Sequence, residues 1–228
     1  MATLEYVMNR LREKARPDQL GGMARYGISV EKRLGLSMPD LRKLAKELGK
    51  DHALAMELWE TGIDDARILA GMVAEPDKLT GEQMEHWVSG FNSWDVCDQV
   101  CMNLFEKSPL ALLKINEWSS REEEFVRRTA FSLIACIGWH DKKMEDGVFT
   151  DMLPLIVSAA TDERNFVKKS VNWALRTIGK RNPSLNRAAL ETAREILEMD
   201  TKAARWIARD AIRELESEAV QKRLRAAK

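Results

Sequence analysis

A pattern of residues returns after 41 positions in the second half of this chain, and that interval restricts the possible folds more than any other feature. Glu124-Phe-Val-Arg-Arg-Thr-Ala-Phe131 resembles Asn165-Phe-Val-Lys-Lys-Ser-Val-Asn172, so that Phe125 and Phe166 hold equivalent places. The same step leads on to Ile207, within Arg205-Trp-Ile-Ala-Arg-Asp-Ala-Ile212. Toward the amino terminus the echo weakens to Ser93-Trp-Asp-Val-Cys-Asp98 and Asp65-Ala-Arg-Ile-Leu-Ala70. A repeat of this length is one supersecondary unit that cannot bury its apolar face alone. Neighbouring units must stack, and the stack curves.

Local signals make each unit a pair of helices. Ser37-Met-Pro-Asp40 places Ser at an N-cap with Pro just inside the helix. Thr80-Gly-Glu-Gln83 and the looser Ser120-Arg-Glu-Glu123 read as capping boxes. Ser108-Pro109 and Asn182-Pro183 read as N-caps followed by an N1 proline. Between these starts, apolar residues recur at three and four, as in Leu41, Leu44, Ala45 and Leu48, or Val167, Val171, Ala174 and Ile178. Leu155-Ile-Val157 lies inside a longer helical pattern, and no segment reads as a strand. Only 12 Gly and 6 Pro interrupt 228 residues, which also favours helices. The expectation is one all-α domain over residues 1–228, with two helices per repeat in the manner of HEAT or armadillo units.

Lys plus Arg and Asp plus Glu are each 36, so the formal net charge is zero. Nucleic-acid binding would then require the charges to be segregated. They are: Arg164, Lys168, Lys169, Arg176, Lys180, Arg181 and Arg187 follow one another with no acid between them. Acids gather instead around Glu57 to Glu85 and Glu117 to Glu124. The three cysteines, Cys97, Cys101 and Cys136, form no disulfide framework, and a reducing cytoplasm is the expected compartment. Leu4 to Arg16 is amphipathic and charged, unlike a signal peptide, and no apolar run approaches the ~20 residues of a membrane span. No His-Cys spacing suits zinc, and no P-loop or dinucleotide fingerprint occurs, so neither metal nor cofactor is expected.

Three helices carry the chemistry. Trp94 and Asp98 are four apart and share a face. Arg128 holds the matching place in the next unit, and Trp173 lies between Lys169 and Arg176 in the one after. Aromatics interleaved with cations suit DNA, with planar faces for bases or sugars and charges for phosphates. Each feature has a plainer reading. The basic run could be a solvated face, Trp94 and Trp173 could be core, and Asp98 could cap or pair with Arg128. Asp95 could be a first-turn acid favoured by the helix dipole. Trp59, Trp87, Trp118, Trp139 and Trp206 are expected in the core or at its edge.

At these residues the chain resembles the AlkD family of DNA glycosylases, which are built of HEAT-like repeats. The similarity runs from Met23-Ala-Arg-Tyr26 to Trp206 and is strongest at Ser93–Asp98, Phe125–Arg128 and Phe166–Arg176. The resemblance implies removal of cationic N3- and N7-alkylated purines from duplex DNA. It places the catalytic carboxylate at Asp98, the active-site arginine at Arg128, two aromatic cleft walls at Trp94 and Trp173, and a further aromatic at Tyr26. The usual tandem Trp of the family reads Ser93-Trp94 here. Lys168, Lys169, Arg176 and Lys180 are the expected phosphate contacts. The fold implied is a right-handed superhelical solenoid with a concave DNA-binding face, acting as a monomer. The alternative is a non-catalytic HEAT-like scaffold that binds DNA or a protein.

Overall fold

The computed structural model describes residues 2–226, and among these every regular element is a helix. Contacts gather into two compact units, Met1–Ala111 and Leu112–Lys228.

The first unit holds α1 (Leu4–Glu13), α2 (Leu20–Arg25), α3 (Met38–Leu48), α4 (His52–Glu60), α5 (Asp64–Val73), α6 (Gly81–Ser89) and α7 (Trp94–Asn103). Its helix starts follow the sequence signals. The Ser37 hydroxyl accepts the Asp40 N–H at the head of α3, with Pro39 in the first turn. At α6 both halves of the capping box form, Gln83 N–H to Thr80 at 3.2 Å and Thr80 N–H to Gln83 at 2.9 Å. The core is aromatic: Trp59 and Trp87 stack at 4.3 Å with 6° between planes, and Phe91 and Phe105 close around them. α5 is buried at every position but Arg67 and packs against α3, α4 and α7.

The second unit holds α8 (Ala111–Trp118), α9 (Glu124–His140), α10 (Asp146–Ala159), α11 (Asn165–Gly179), α12 (Pro183–Leu197), α13 (Lys202–Leu215) and α14 (Glu218–Ala226). α9, α11 and α13 pack side by side in one row, with α10 and α12 in a second. This two-row stack is what the repeat predicts. Phe125 and Phe166 stack at 5.4 Å where the repeats meet. The interval is not constant, however. α9 and α11 start 41 residues apart, but α11 and α13 only 37, because Thr201 caps α13 early by accepting the Ala204 N–H.

Two further expectations are corrected. Ser120 does not cap α9, which begins at Glu124 with no side-chain cap. Glu123 pairs with Arg121 at 2.5 Å, and that hydrogen bond, helped by backbone N–H groups of Glu123 and Glu122, pulls its carboxyl down to about 2. Trp59, Trp87 and Trp118 are core, but Trp139 and Trp206 are 55% and 40% exposed. Periodicity cannot tell a position at the edge of an apolar stripe from one in its centre.

Candidate functional site

In the first unit the sequence-marked residues meet at the amino-terminal end of α7. Ser93 is the N-cap residue, but its hydroxyl does not cap. It donates to Asp95 Oδ1 at 2.6 Å and accepts the Ser29 N–H at 3.1 Å. Arg33, buried, places Nη2 2.7 Å from Asp95 Oδ2 and 3.7 Å from Asp64 Oδ2. Asp65 accepts the N–H groups of Leu34 and Leu36 at 2.7 and 2.9 Å. The irregular segment between α2 and α3 is thus strapped at several points to the heads of α5 and α7. The Trp94 indole completes the strap, donating Nε1–H to the Tyr26 carbonyl at 3.1 Å. Trp94 is half-buried, and Asp98, one turn further along, is 7% exposed. The Tyr26 ring itself is open to solvent.

Asp64 is the costly member of this cluster. It is fully buried and neither carboxylate oxygen takes a hydrogen bond. Burial pushes its pKa up to about 6; Arg33 pulls the other way, and the nearby Asp95 adds to the rise. Asp95 is therefore a first-turn acid, as its position suggests, and also the near partner of a buried arginine.

In the second unit Arg128 is 5% exposed and its Nη1 donates to the Phe166 carbonyl at 2.7 Å, joining α9 to the first turn of α11. Trp173 is half-buried on α11. The basic run around it is free of acids in sequence but not in space. Arg176 pairs with Glu214, and lies 3.7 Å from Asp210. Lys180 reaches Glu214 at 2.6 Å. Burial opposes ionisation of Glu214, but these two cations together hold its carboxyl below the ordinary value. Lys168 lies over the Trp206 ring at 5.3 Å. Lys169 is exposed and has no ion pair among the described residues.

Sequence reasoning missed Arg33, Asp64, Asp65, Asp210 and Glu214. The only trace of the first cluster was an acid pair at the start of a helix, and a lone Arg33 carried no signal. Also missed was a cavity of about 600 Å³ at the carboxy-terminal ends of α9 and α11, bordered by Trp139 and Trp173. Among the described residues, no group of three His, Cys, Asp or Glu side chains is placed to hold a metal ion. Among the described residues, no helix is long and apolar enough to cross a membrane.

The chain is an all-helical repeat protein whose α7 carries a tryptophan and a buried carboxylate one turn apart. The sequence matches the DNA alkylation repair enzyme family over residues 7–215, and the chain belongs to that family. An uncharacterised protein of Listeria innocua is 27% identical over 168 residues, 71% of each chain. One from Listeria monocytogenes is 25% identical over 170 residues, again 71% of each. A solved structure from a new family of proteins related to the HEAT-like repeat DNA glycosylases, with affinity for branched DNA structures, superposes with a TM-score of 0.76. It is 21% identical and covers 93% of this chain and 95% of its own. The all-helical, HEAT-like fold expected from the sequence is the fold observed.

Proposed function

We propose that this protein is a DNA glycosylase that excises cationic N3- and N7-alkylated purines from duplex DNA. The observation that carries the proposal is the pairing of Trp94 and Asp98 on α7, with the indole pinned to Tyr26 and the helix head held by the buried Arg33–Asp95 pair. An alkylated purine already bears positive charge, so its glycosidic bond is weak. As that bond breaks, its electron pair neutralises the departing base and positive charge grows on the sugar. A carboxylate fixed nearby stabilises that charge more in the transition state than in the ground state. Water then supplies hydroxide to the sugar carbon, and its proton leaves to solvent.

Asp98 is the carboxylate in this scheme. Trp94 and Trp173 offer faces that stabilise a cation. Arg128, anchored on the Phe166 carbonyl, supplies a fixed positive charge for a phosphate. Tyr26 offers an open aromatic ring, and Lys168, Lys169, Arg176 and Lys180 are backbone contacts of unequal availability. Membership of a DNA alkylation repair enzyme family supports the reading. The test is release of 7-methylguanine from methylated duplex DNA by the pure protein.

A second reading is favoured by the branched-DNA affinity of the structural relative. The protein would then bind DNA junctions without excising a base. Tight binding to a four-way junction, with no 7-methylguanine released, would select it.

A further inference from the structure

The cavity at the ends of α9 and α11 has no part in the excision scheme beyond Trp173 and Lys180, which border it. Its volume of about 600 Å³ lies within the ~300–1,000 Å³ usual for small-ligand sites. Trp139 stands at its edge, 55% exposed even though His140 stacks on it at 4.9 Å and 22°. Two indoles therefore present open surface to one cavity.

The charges around them are unequally committed. Arg181 is turned into the wall and bonds it through both terminal nitrogens. It donates to the carbonyls of Gly138, Asp141 and Met144 at 2.8, 2.7 and 3.1 Å, and its guanidinium lies 4.1 Å from the Phe149 ring centroid. It thereby covers carbonyls at the end of α9, which would otherwise repel an anion. Lys180 is neutralised by Glu214. Among the described residues of the lining Asp146 is the one acid, and both its oxygens accept from the Asn182 amide at 2.9 and 2.8 Å. Lys142, exposed and without an ion pair among the described residues, and Arg223, which spends one N–H on the Lys180 carbonyl at 2.9 Å, are left to face a ligand. A ligand matched to this lining has a flat π surface with negative charge beside it. Open aromatics with adjacent cations are how proteins hold single-stranded nucleic acid.

We infer that this cavity holds one unpaired nucleotide of a DNA strand, its base against Trp139 and Trp173 and its phosphate at Lys142 and Arg223. The two cations come from different elements, the turn after α9 and α14, which suits a strand with phosphates on both sides of each base. The inference rests on the reading of the chain as a DNA-binding protein, but not on base excision.

The test is fluorescence anisotropy of a labelled oligothymidylate and of a blunt duplex, at one salt concentration. Wild type should bind the single strand, and Trp139→Ala should weaken that binding roughly tenfold, the scale of one lost base stack. Trp139→Phe, which keeps a ring, should retain most of it. Lys142→Ala should lower the salt slope on the single strand by about 0.7. Duplex affinity should move less than twofold in all three variants. Unchanged single-strand affinity in Trp139→Ala, or equal loss on the duplex, overturns the inference. If thymidine monophosphate competes as tightly per molecule as the oligonucleotide, the ligand is a free nucleotide and the strand assignment is wrong. Failure of 7-methylguanine release with these results intact would sink the excision reading alone.

Discussion

α7 and α11 each carry a tryptophan that the sequence marks out, and they are held in opposite ways. The head of α7 is fixed by buried charge: Arg33 lies between Asp95 and Asp64, and Asp65 holds the backbone of the same segment. α11 is flanked by surface charge, with Arg176 and Lys180 on Glu214 of the neighbouring helix. Buried ion pairs stabilise little over an apolar replacement, yet breaking one by removing a partner is expensive. Partly exposed pairs are cheap to break. A buried cluster therefore makes a rigid mount for Trp94 and Asp98. The surface pairs around Trp173 leave cations that can exchange an internal acid for an external one.

The largest effect should come from removing the centre of the buried cluster. Arg33→Met leaves the buried Asp64 and the half-buried Asp95 without their cation, and should cost about 3–5 kcal/mol in urea unfolding. A loss under about 1 kcal/mol would mean that the cluster is solvated and that α7 is not rigidly mounted.

A smaller effect should appear on acidification. The pKa of Asp64 is about 6 in the folded state, above the ordinary 3.8, so the folded protein binds this proton more tightly than the unfolded chain. Its penalty is absent at low pH, where both states are protonated, and grows as pH rises from about 4 to 6. Lowering the pH from 7 to 5 should thus raise stability by roughly one pKa unit's worth, on the order of 1 kcal/mol, or a few degrees in Tm. Asp64→Asn should abolish that gain. The ion-paired acids of the second unit behave the other way. Glu214 and Asp162 are held below their ordinary values by Lys180, Arg176 and Arg164, so their contribution is lost only as pH falls below about 4. A Tm that falls steadily from pH 7 to 5 would contradict the buried-charge assignment.

The smallest effects belong to single cations of α11. Lys169→Ala should reduce the log–log salt slope of duplex binding by about one unit. Arg176→Ala should reduce it by less than half of that, because its charge is already shared with Glu214 and Asp210. The reverse order would show that DNA strips Arg176 from its acids and that the internal pairs are no restraint.

The same contrast explains what could be read from sequence. The second unit was legible because its contacts repeat: Phe125 on Phe166 and Arg128 on the Phe166 carbonyl join equivalent helices at the visible interval. Ser37, Thr80 and Asn182 announced their helices because capping is a local event. The Arg33 cluster was not legible, since it joins three segments with no periodic relation. Nor did the acid-free run from Arg164 to Arg187 reveal Asp210 and Glu214, which reach it from α13. Trp139 and Trp206 were misplaced because a helical stripe specifies direction but not depth. The resemblance supplied Asp98 and Arg128 as a catalytic pair. The residues alone supplied only a carboxylate one turn from a tryptophan.

The central claim is that Asp98 stabilises a sugar cation during base loss, and single-turnover excision of 7-methylguanine tests it most directly. Wild type should release the base from methylated duplex. Asp98→Asn keeps the shape of the side chain and removes its charge, so the rate should fall by roughly 10²-fold or more, with duplex binding kept or improved. Equal single-turnover rates for the two proteins, or no release by wild type at saturating concentration, would contradict it.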